Sequence, residues 1–261
     1  MTYIQAFFLG LLQGVAEFLP ISSSGHLLIL QHYMGLGDIP PLFDILLHLA
    51  TLGAVFIVYY PRIAALFSSG IQLATLRPLN NEHRNNLSML GVIIISTIIT
   101  FAMHLILRYI PYTLTTVAFG MVYTSILLMS YGIFQLNHIL PWWGQSLIFG
   151  IFQGIGTLPG VSRSGSTLFA AQLCGHDRKA AGEYSFVLLI PAVLGAILLE
   201  LPDFRQLTTS IDFTALGIAF VTAFITGIIS LRLLVKVLHQ ARLYWFAFYL
   251  LPVAIFIFLK Q

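Results

Sequence analysis

Six stretches of this chain, at about residues 43–60, 87–107, 114–136, 183–201, 212–235 and 243–259, are apolar for close to the length a bilayer crossing needs. Their apolar runs are continuous. A membrane barrel would instead alternate apolar and polar residues over segments of about ten. The predicted fold is therefore an all-α polytopic membrane protein, a single integral domain over 1–261. Composition agrees, with 58% hydrophobic and 8% charged residues, against about 25% charged in an ordinary soluble domain. So few charges cannot cover a soluble fold of this size. The net charge of +3 is spread over connectors, which argues against a nucleic-acid partner. Cys174 is the only cysteine, so no intramolecular disulfide and no Cys-rich metal site is expected. The opening MTYIQAFFLG has neither a basic start nor a clear cleavage signal and reads as mature protein.

Two further regions are apolar but broken. Residues 3–34 are interrupted by Pro20, Ser22, Ser23, Ser24 and Gly25, and residues 145–175 by Pro159, Gly160, Ser162, Arg163, Ser164 and Gly165. Each predicts two half-length helices joined by a polar turn, a re-entrant hairpin. A shift of 140 positions lays Gly10 on Gly150, Gln13 on Gln153, Gly14 on Gly154, and Ser22, Ser24 and Gly25 on Ser162, Ser164 and Gly165. The chain then reads as two repeats, about 1–136 and 137–261. Three spans separate the hairpins, an odd number, so the second repeat is expected to be inverted. The two tips can then meet near the midplane.

The basic residues set the expected orientation. Arg62, Arg77, Arg84, Arg178, Lys179, Lys236 and Arg242 fall on one side, and Arg108, Arg205 and Lys260 on the other. The richer side is cytoplasmic by the positive-inside rule, which places both termini outside.

Arg163 is the cation that fits neither a loop nor a span end. Guanidinium is costly in lipid, so it must face partners or water, and its planar donors match phosphate oxygens. An ion pair with Glu17 or Glu183 that only holds the fold is the alternative. Ser162, Ser164 and Gly165 beside it, and Ser22, Ser24 and Gly25 in the first break, can aim hydroxyls and helix N-termini at an anion. Such breaks also serve plain helix packing. Gln13 and Glu17 lie four apart on one helix face. Glu17 suits Mg²⁺ or Ca²⁺, and Gln13 can add a neutral carbonyl, with substrate oxygens completing the shell. Glu17 as an ion-pair partner or a base without metal is the alternative. His26, three residues after Ser23, can orient or deprotonate that serine, protonate a leaving oxygen, or serve as a structural donor. His48 and His104 are taken as packing or pathway residues, and Glu183 as an outer anion bracing Arg163.

The stretches QGVAEFLPISSSGHL and LPGVSRSGST, followed by EYSFVLLIPAVLGA, resemble the undecaprenyl pyrophosphate phosphatases, the bacitracin-resistance family. Length, motif order and span count agree over nearly the whole chain. The resemblance implies a membrane hydrolase of interdigitated inverted repeats, acting on the polyprenyl diphosphate carrier of cell-wall synthesis in the bacterial cytoplasmic membrane. The site would open to the outer, periplasmic face, with a homodimer as the assembly considered. It assigns Glu17 to the metal or acid–base group, Ser23 and His26 to the reactive centre and Arg163 to pyrophosphate binding. Many relatives carry Glu at the position of Gln13, so a two-carboxylate metal site is unavailable from this helix. The type 2 phosphatidic acid phosphatases fit less well, because their motifs need a Lys at Gly70 and a His at Phe169. A polyprenyl phosphate carrier or flippase remains the rival reading, since broken helices also build transporter sites.

Overall fold

The computed structural model describes residues 1–36, 39–134, 136–200, 212–239 and 242–260. Arg205 and the connector at 201–206 lie outside them. Described residues fold into helices α1 (Tyr3–Ala16), α2 (Ser23–Tyr33), α3 (Pro41–Val58), α4 (Tyr60–Ala74), α5 (Asn81–Leu107), α6 (Leu114–Ser130), α7 (Trp142–Ile155), α8 (Arg163–Leu173), α9 (Arg178–Val187), α10 (Leu189–Glu200), α11 (Phe213–His239) and α12 (Tyr244–Lys260). The chain is an all-α polytopic membrane protein. Among the described residues four stretches are long and apolar enough to cross a membrane: α3, α5, α9 with α10, and α11. The other two expected spans fall on α6 and α12, of 17 residues each. Each is about 25 Å long at 1.5 Å per residue, the short end of a crossing.

Two spans depart from expectation in detail. The run expected to 136 stops at Ser130, because Gly132 turns the chain at φ 96°. The run expected at 183–201 is two helices meeting at Leu188. Pro191 lies in the first turn of the second and offers no N–H to the preceding turn. α4 was not expected at all. It is amphipathic, with Leu66 and Ser69 buried while Phe67, Ile71 and Leu73 are exposed.

Both breaks form where proline, serine and glycine stop a helix. α1 starts on a capping box, Thr2 Oγ1 accepting from Gln5 N at 3.2 Å and Gln5 Oε1 from Thr2 N at 2.7 Å. It ends before Pro20, and α2 restarts under a Ser22 cap. α7 ends before Pro159, and α8 restarts under a Ser162 cap. Under the 140-residue shift α2 and α8 coincide, and α1 and α7 agree within one residue.

Each first helix packs on a long helix of the other half, α1 on α11 and α7 on α5, while α6 packs on α12. Small residues permit the close approach. Ala215, Ala219 and Ala223 are buried along one face of α11, where a Cβ at Gly10 would run into the Ala219 backbone. On the other pair, a Cβ at Gly150 would meet Ile99 and one at Gly154 would meet Met103. The opposite face of α11, Val221, Ile225, Ile229 and Leu233, is exposed and apolar, as a lipid-facing stripe must be. Interlocked in this way, the halves bring the two breaks into contact. A Cβ at Gly25 would lie 3.0 Å from Gly160 Cα, and one at Gly165 would lie 3.3 Å from Pro20 Cβ. Ser164 Oγ donates to Leu19 O across the contact at 3.4 Å.

Candidate active site

Helical spacing alone puts Gln13 and Glu17 together, and Gln13 Nε2 donates to Glu17 Oε2 at 3.1 Å. The break then folds the chain back on this carboxylate. Ser22 takes φ 69°, a backbone region that L-residues seldom adopt. Its Oγ accepts from Gly25 N at 3.2 Å and opens α2. Ser23, the first residue of α2, donates from Oγ to Glu17 Oε2 at 2.7 Å.

The second break repeats the device with different chemistry. Ser162 Oγ accepts from Gly165 N at 3.1 Å, and Ser162 N donates to Thr124 Oγ1 at 2.9 Å, tying the turn to α6. Arg163, the first residue of α8, occupies the place that Ser23 holds in α2. Its NH2 group donates to Glu17 Oε1 at 3.0 Å and its NH1 group to Ser185 O at 2.9 Å. Glu17 therefore holds Ser23 on one oxygen and Arg163 on the other. Its side chain is only 4% exposed and that of Arg163 14%. Two charges so buried are tolerable because they are paired and hydrogen-bonded.

These groups line a cavity of about 300 Å³. Glu17, Ser22, Ser23, Ser24, Ser162 and Arg163 lie on its wall beside apolar Ile45, Phe101, Leu189, Val193 and Leu199. A polar end continuous with an apolar wall suits a ligand with an anionic head and an oily tail.

Several expected residues take other places. His26 is not on the cavity wall. Its Nδ1 lies 2.8 Å from Ser22 O and its Nε2 2.8 Å from Tyr249 Oη, with the two rings stacked. The partner of Ser23 Oγ is Glu17, not His26. Gly25 and Gly165 contribute capping N–H groups and room for the breaks to touch, and Ser164 joins the breaks. Glu183 does not brace Arg163. It pairs with Arg62 Nε at 3.0 Å, while Ser185, two residues further along α9, supplies the carbonyl that holds Arg163. The α9 backbone thus fills the place expected of the Glu183 side chain.

His48 is the group that sequence reasoning missed. Expected as a packing or pathway residue, it reaches Glu17 Oε2 with Nδ1 at 2.8 Å and lies 2.9 Å from Gln13 Nε2. The usable signal was an ionisable side chain inside an apolar span, which marks a site by default. His104, Thr97, Thr100 and Thr157 also line the cavity.

The arrangement can bind an anion through Arg163 and activate a hydroxyl, because the Ser23 proton already points at a carboxylate. The model of the family described as bacitracin resistance protein BacA matches residues 6–256. An undecaprenyl-diphosphatase of Treponema denticola is 40% identical over 261 residues, covering 98% of this chain and 96% of that protein. An undecaprenyl-diphosphatase of Borreliella burgdorferi is 39% identical over 260 residues, covering 97% and 96%. One of Protochlamydia amoebophila is 36% identical over 268 residues, covering 98% and 97%. With the match running through both breaks and all the described helices between them, the chain belongs to the bacitracin resistance protein BacA family.

Proposed function

We infer that this chain hydrolyses undecaprenyl diphosphate to undecaprenyl phosphate and inorganic phosphate. The reaction returns the lipid carrier to wall-polymer synthesis, and it removes the diphosphate lipid that bacitracin sequesters. One observation carries this reading: Ser23 and Arg163 bind the same buried carboxylate, Glu17, at the polar end of a cavity whose wall is otherwise largely apolar. A carrier needs an anion cradle but has no use for a hydroxyl held on a base, so the pairing favours hydrolysis over flipping.

In the proposed mechanism the terminal phosphoryl group enters beside Arg163, whose guanidinium exchanges part of its hold on Glu17 for phosphate oxygens. The N-termini of α2 and α8 add their partial positive charge. Glu17 Oε2 takes the Ser23 proton as Oγ attacks the terminal phosphorus. The bond to the bridging oxygen breaks and lipid monophosphate leaves. Water then attacks the phosphoserine, the Oγ–P bond breaks, Glu17 returns its proton to Ser23 Oγ, and the water's oxygen and protons leave with the phosphate. His26, through Ser22 O, supports the turn that presents Ser23.

A divalent cation, Mg²⁺ or Ca²⁺, fits the first break. Glu17 offers a hard anionic oxygen, and Gln13 Oε1 is buried with no hydrogen-bond partner. Gln13 and Glu17 would hold it, and when bound it would supply charge neutralisation to the diphosphate. The asymmetry of basic residues supports both termini outside; the odd number of spans between the breaks supports the second repeat inverted on the first; and membership of the family supports a cytoplasmic-membrane location with the cavity opening outward.

The test is phosphate release from undecaprenyl diphosphate by the purified chain, with and without chelator. The expected result is turnover by wild type and a loss of about 10²- to 10³-fold in Arg163→Ala. No release by wild type, or equal release by Arg163→Ala, overturns the reading.

A further inference from the structure

Around Glu17 Oε2 three polar atoms form a triangle. Gln13 Nε2 lies 3.1 Å from Glu17 Oε2, Glu17 Oε2 lies 2.8 Å from His48 Nδ1, and His48 Nδ1 lies 2.9 Å from Gln13 Nε2. Hydrogen bonds cannot satisfy all three edges. If His48 Nδ1 carries a proton for Glu17, it meets the Gln13 amide as donor against donor. If it carries none, its lone pair faces the carboxylate with nothing between. Turning the Gln13 amide over relieves the first conflict but sets its oxygen against Glu17 Oε2 with no proton to share.

A cation removes the conflict. Which end of an amide is oxygen is fixed by its partners, and Gln13 Oε1 has none in its present position, although it is buried. Turning the amide forfeits no bond at that atom. Three lone pairs, from Gln13 Oε1, Glu17 Oε2 and His48 Nδ1, then converge. Ligands at about 2.0–2.1 Å from an octahedral ion stand about 2.9 Å apart along each edge. The observed edges, 2.8 to 3.1 Å, have that spacing.

We propose that Gln13 Oε1, Glu17 Oε2 and His48 Nδ1 form one face of a divalent-cation site, the opposite face being left to diphosphate oxygens and water. This rests on the ion reading above and deepens it by adding a nitrogen ligand. Carboxylate and amide oxygens suit Mg²⁺, Ca²⁺ and Mn²⁺ alike, whereas an imidazole ligand shifts preference away from Ca²⁺ and towards first-row ions, of which Mn²⁺ accepts both donor types. Arg163 keeps the other oxygen of Glu17, so ion and guanidinium share one carboxylate without displacing each other.

Mn²⁺ binding to the purified full chain in detergent tests this, with free Mn²⁺ followed by its paramagnetic resonance signal and ¹⁴N coupling read by electron spin-echo modulation. Wild type is expected to bind Mn²⁺ with ¹⁴N modulation from imidazole, and to prefer it to Ca²⁺ by at least about tenfold. His48→Gln is expected to lose the ¹⁴N signal and to weaken binding by at least about tenfold. Gln13→Glu is expected to keep the signal and bind more tightly, which separates loss of a ligand from loss of fold. Mn²⁺ bound without ¹⁴N modulation, or modulation that survives in His48→Gln, overturns the His48 assignment while leaving an ion at Glu17. No Mn²⁺ bound by wild type overturns the ion reading as well. Phosphate release measured on the same samples reports separately on the hydrolase reading.

Discussion

Ser23 and Arg163 stand at corresponding positions of the two breaks, each the first residue of its second half-helix, and they hold opposite oxygens of Glu17, at 2.7 and 3.0 Å. Two turns of like geometry thus present a hydroxyl from one and a guanidinium from the other to the same carboxylate. The carboxylate that both need comes from the first copy alone, because the place of Glu17 is taken by Thr157 in the second.

Ser23→Ala is expected to lower phosphate release at least about a thousandfold, since it removes the atom proposed to attack. Arg163→Lys keeps the charge, but a compact ammonium cannot span Glu17 Oε1 and Ser185 O together, so a loss of at least about tenfold is expected. Rates on purified variants, beside their melting temperatures, check both. Substantial turnover by Ser23→Ala would leave water as the nucleophile and Ser23 as a binding group.

His26 is expected to act through the turn, because its two nitrogens meet Ser22 O and Tyr249 Oη. His26→Ala and Tyr249→Phe should each slow turnover, and the double variant should be no slower than His26→Ala alone. Effects that act through one shared contact do not add. A fully additive pair would sever Tyr249 from the function of His26.

The breaks were legible because proline, glycine and serine punctuate a helix locally, and the positions of α2 and α8 follow from that. The four long apolar stretches and the shorter apolar helices α6 and α12 were legible because hydropathy is also a local property. The contact of His48 with Glu17 was not, since it depends on how α3 packs against α1, which no local pattern encodes. The role given to Glu183 failed for a related reason. Charge complementarity named a plausible partner for Arg163, but α9 turns Glu183 towards Arg62 and presents a backbone carbonyl instead. Carbonyls are present at every residue, so sequence cannot single one out. α4 escaped because an amphipathic helix has no apolar run long enough to span.

The proposed orientation can be read by labelling. In a Cys174→Ala background, Tyr109→Cys and Leu76→Cys place thiols beyond opposite ends of α5, at positions now 76% and 91% exposed. A membrane-impermeant maleimide is expected to label Tyr109→Cys in intact cells, and Leu76→Cys only after permeabilisation. The opposite pattern inverts the assignment.

Close helix approach should make Gly10 intolerant of any side chain. The Cβ of Gly10→Ala runs into the Ala219 backbone, which has no flexible end to move aside. A destabilisation of about 1–3 kcal/mol is expected, read as a lower melting temperature in detergent. Gly91→Ala, on a helix with open space around it, should be neutral or raise it.

The two caps differ in backbone, and this predicts gaps of different size for the same pair of substitutions. Ser22 has φ 69° and Ser162 has φ −78°. Either substitution removes the hydroxyl that caps the following helix, with alanine at a cap costing about 1 kcal/mol and glycine only a few tenths. At Ser22 alanine also carries the left-handed penalty, about 1–2 kcal/mol, which glycine escapes. Ser22→Gly should therefore melt well above Ser22→Ala and retain more phosphate release, because Ser23 is held by this turn. At Ser162 the backbone suits any L-residue, so the gap between Ser162→Gly and Ser162→Ala should shrink to the cap difference alone. Glycine there also frees the chain beside Arg163, so its activity should fall at least as far as that of alanine. Equal gaps at the two sites would mean that Ser22 relaxes out of the left-handed region, and that the first turn does not depend on its strained residue.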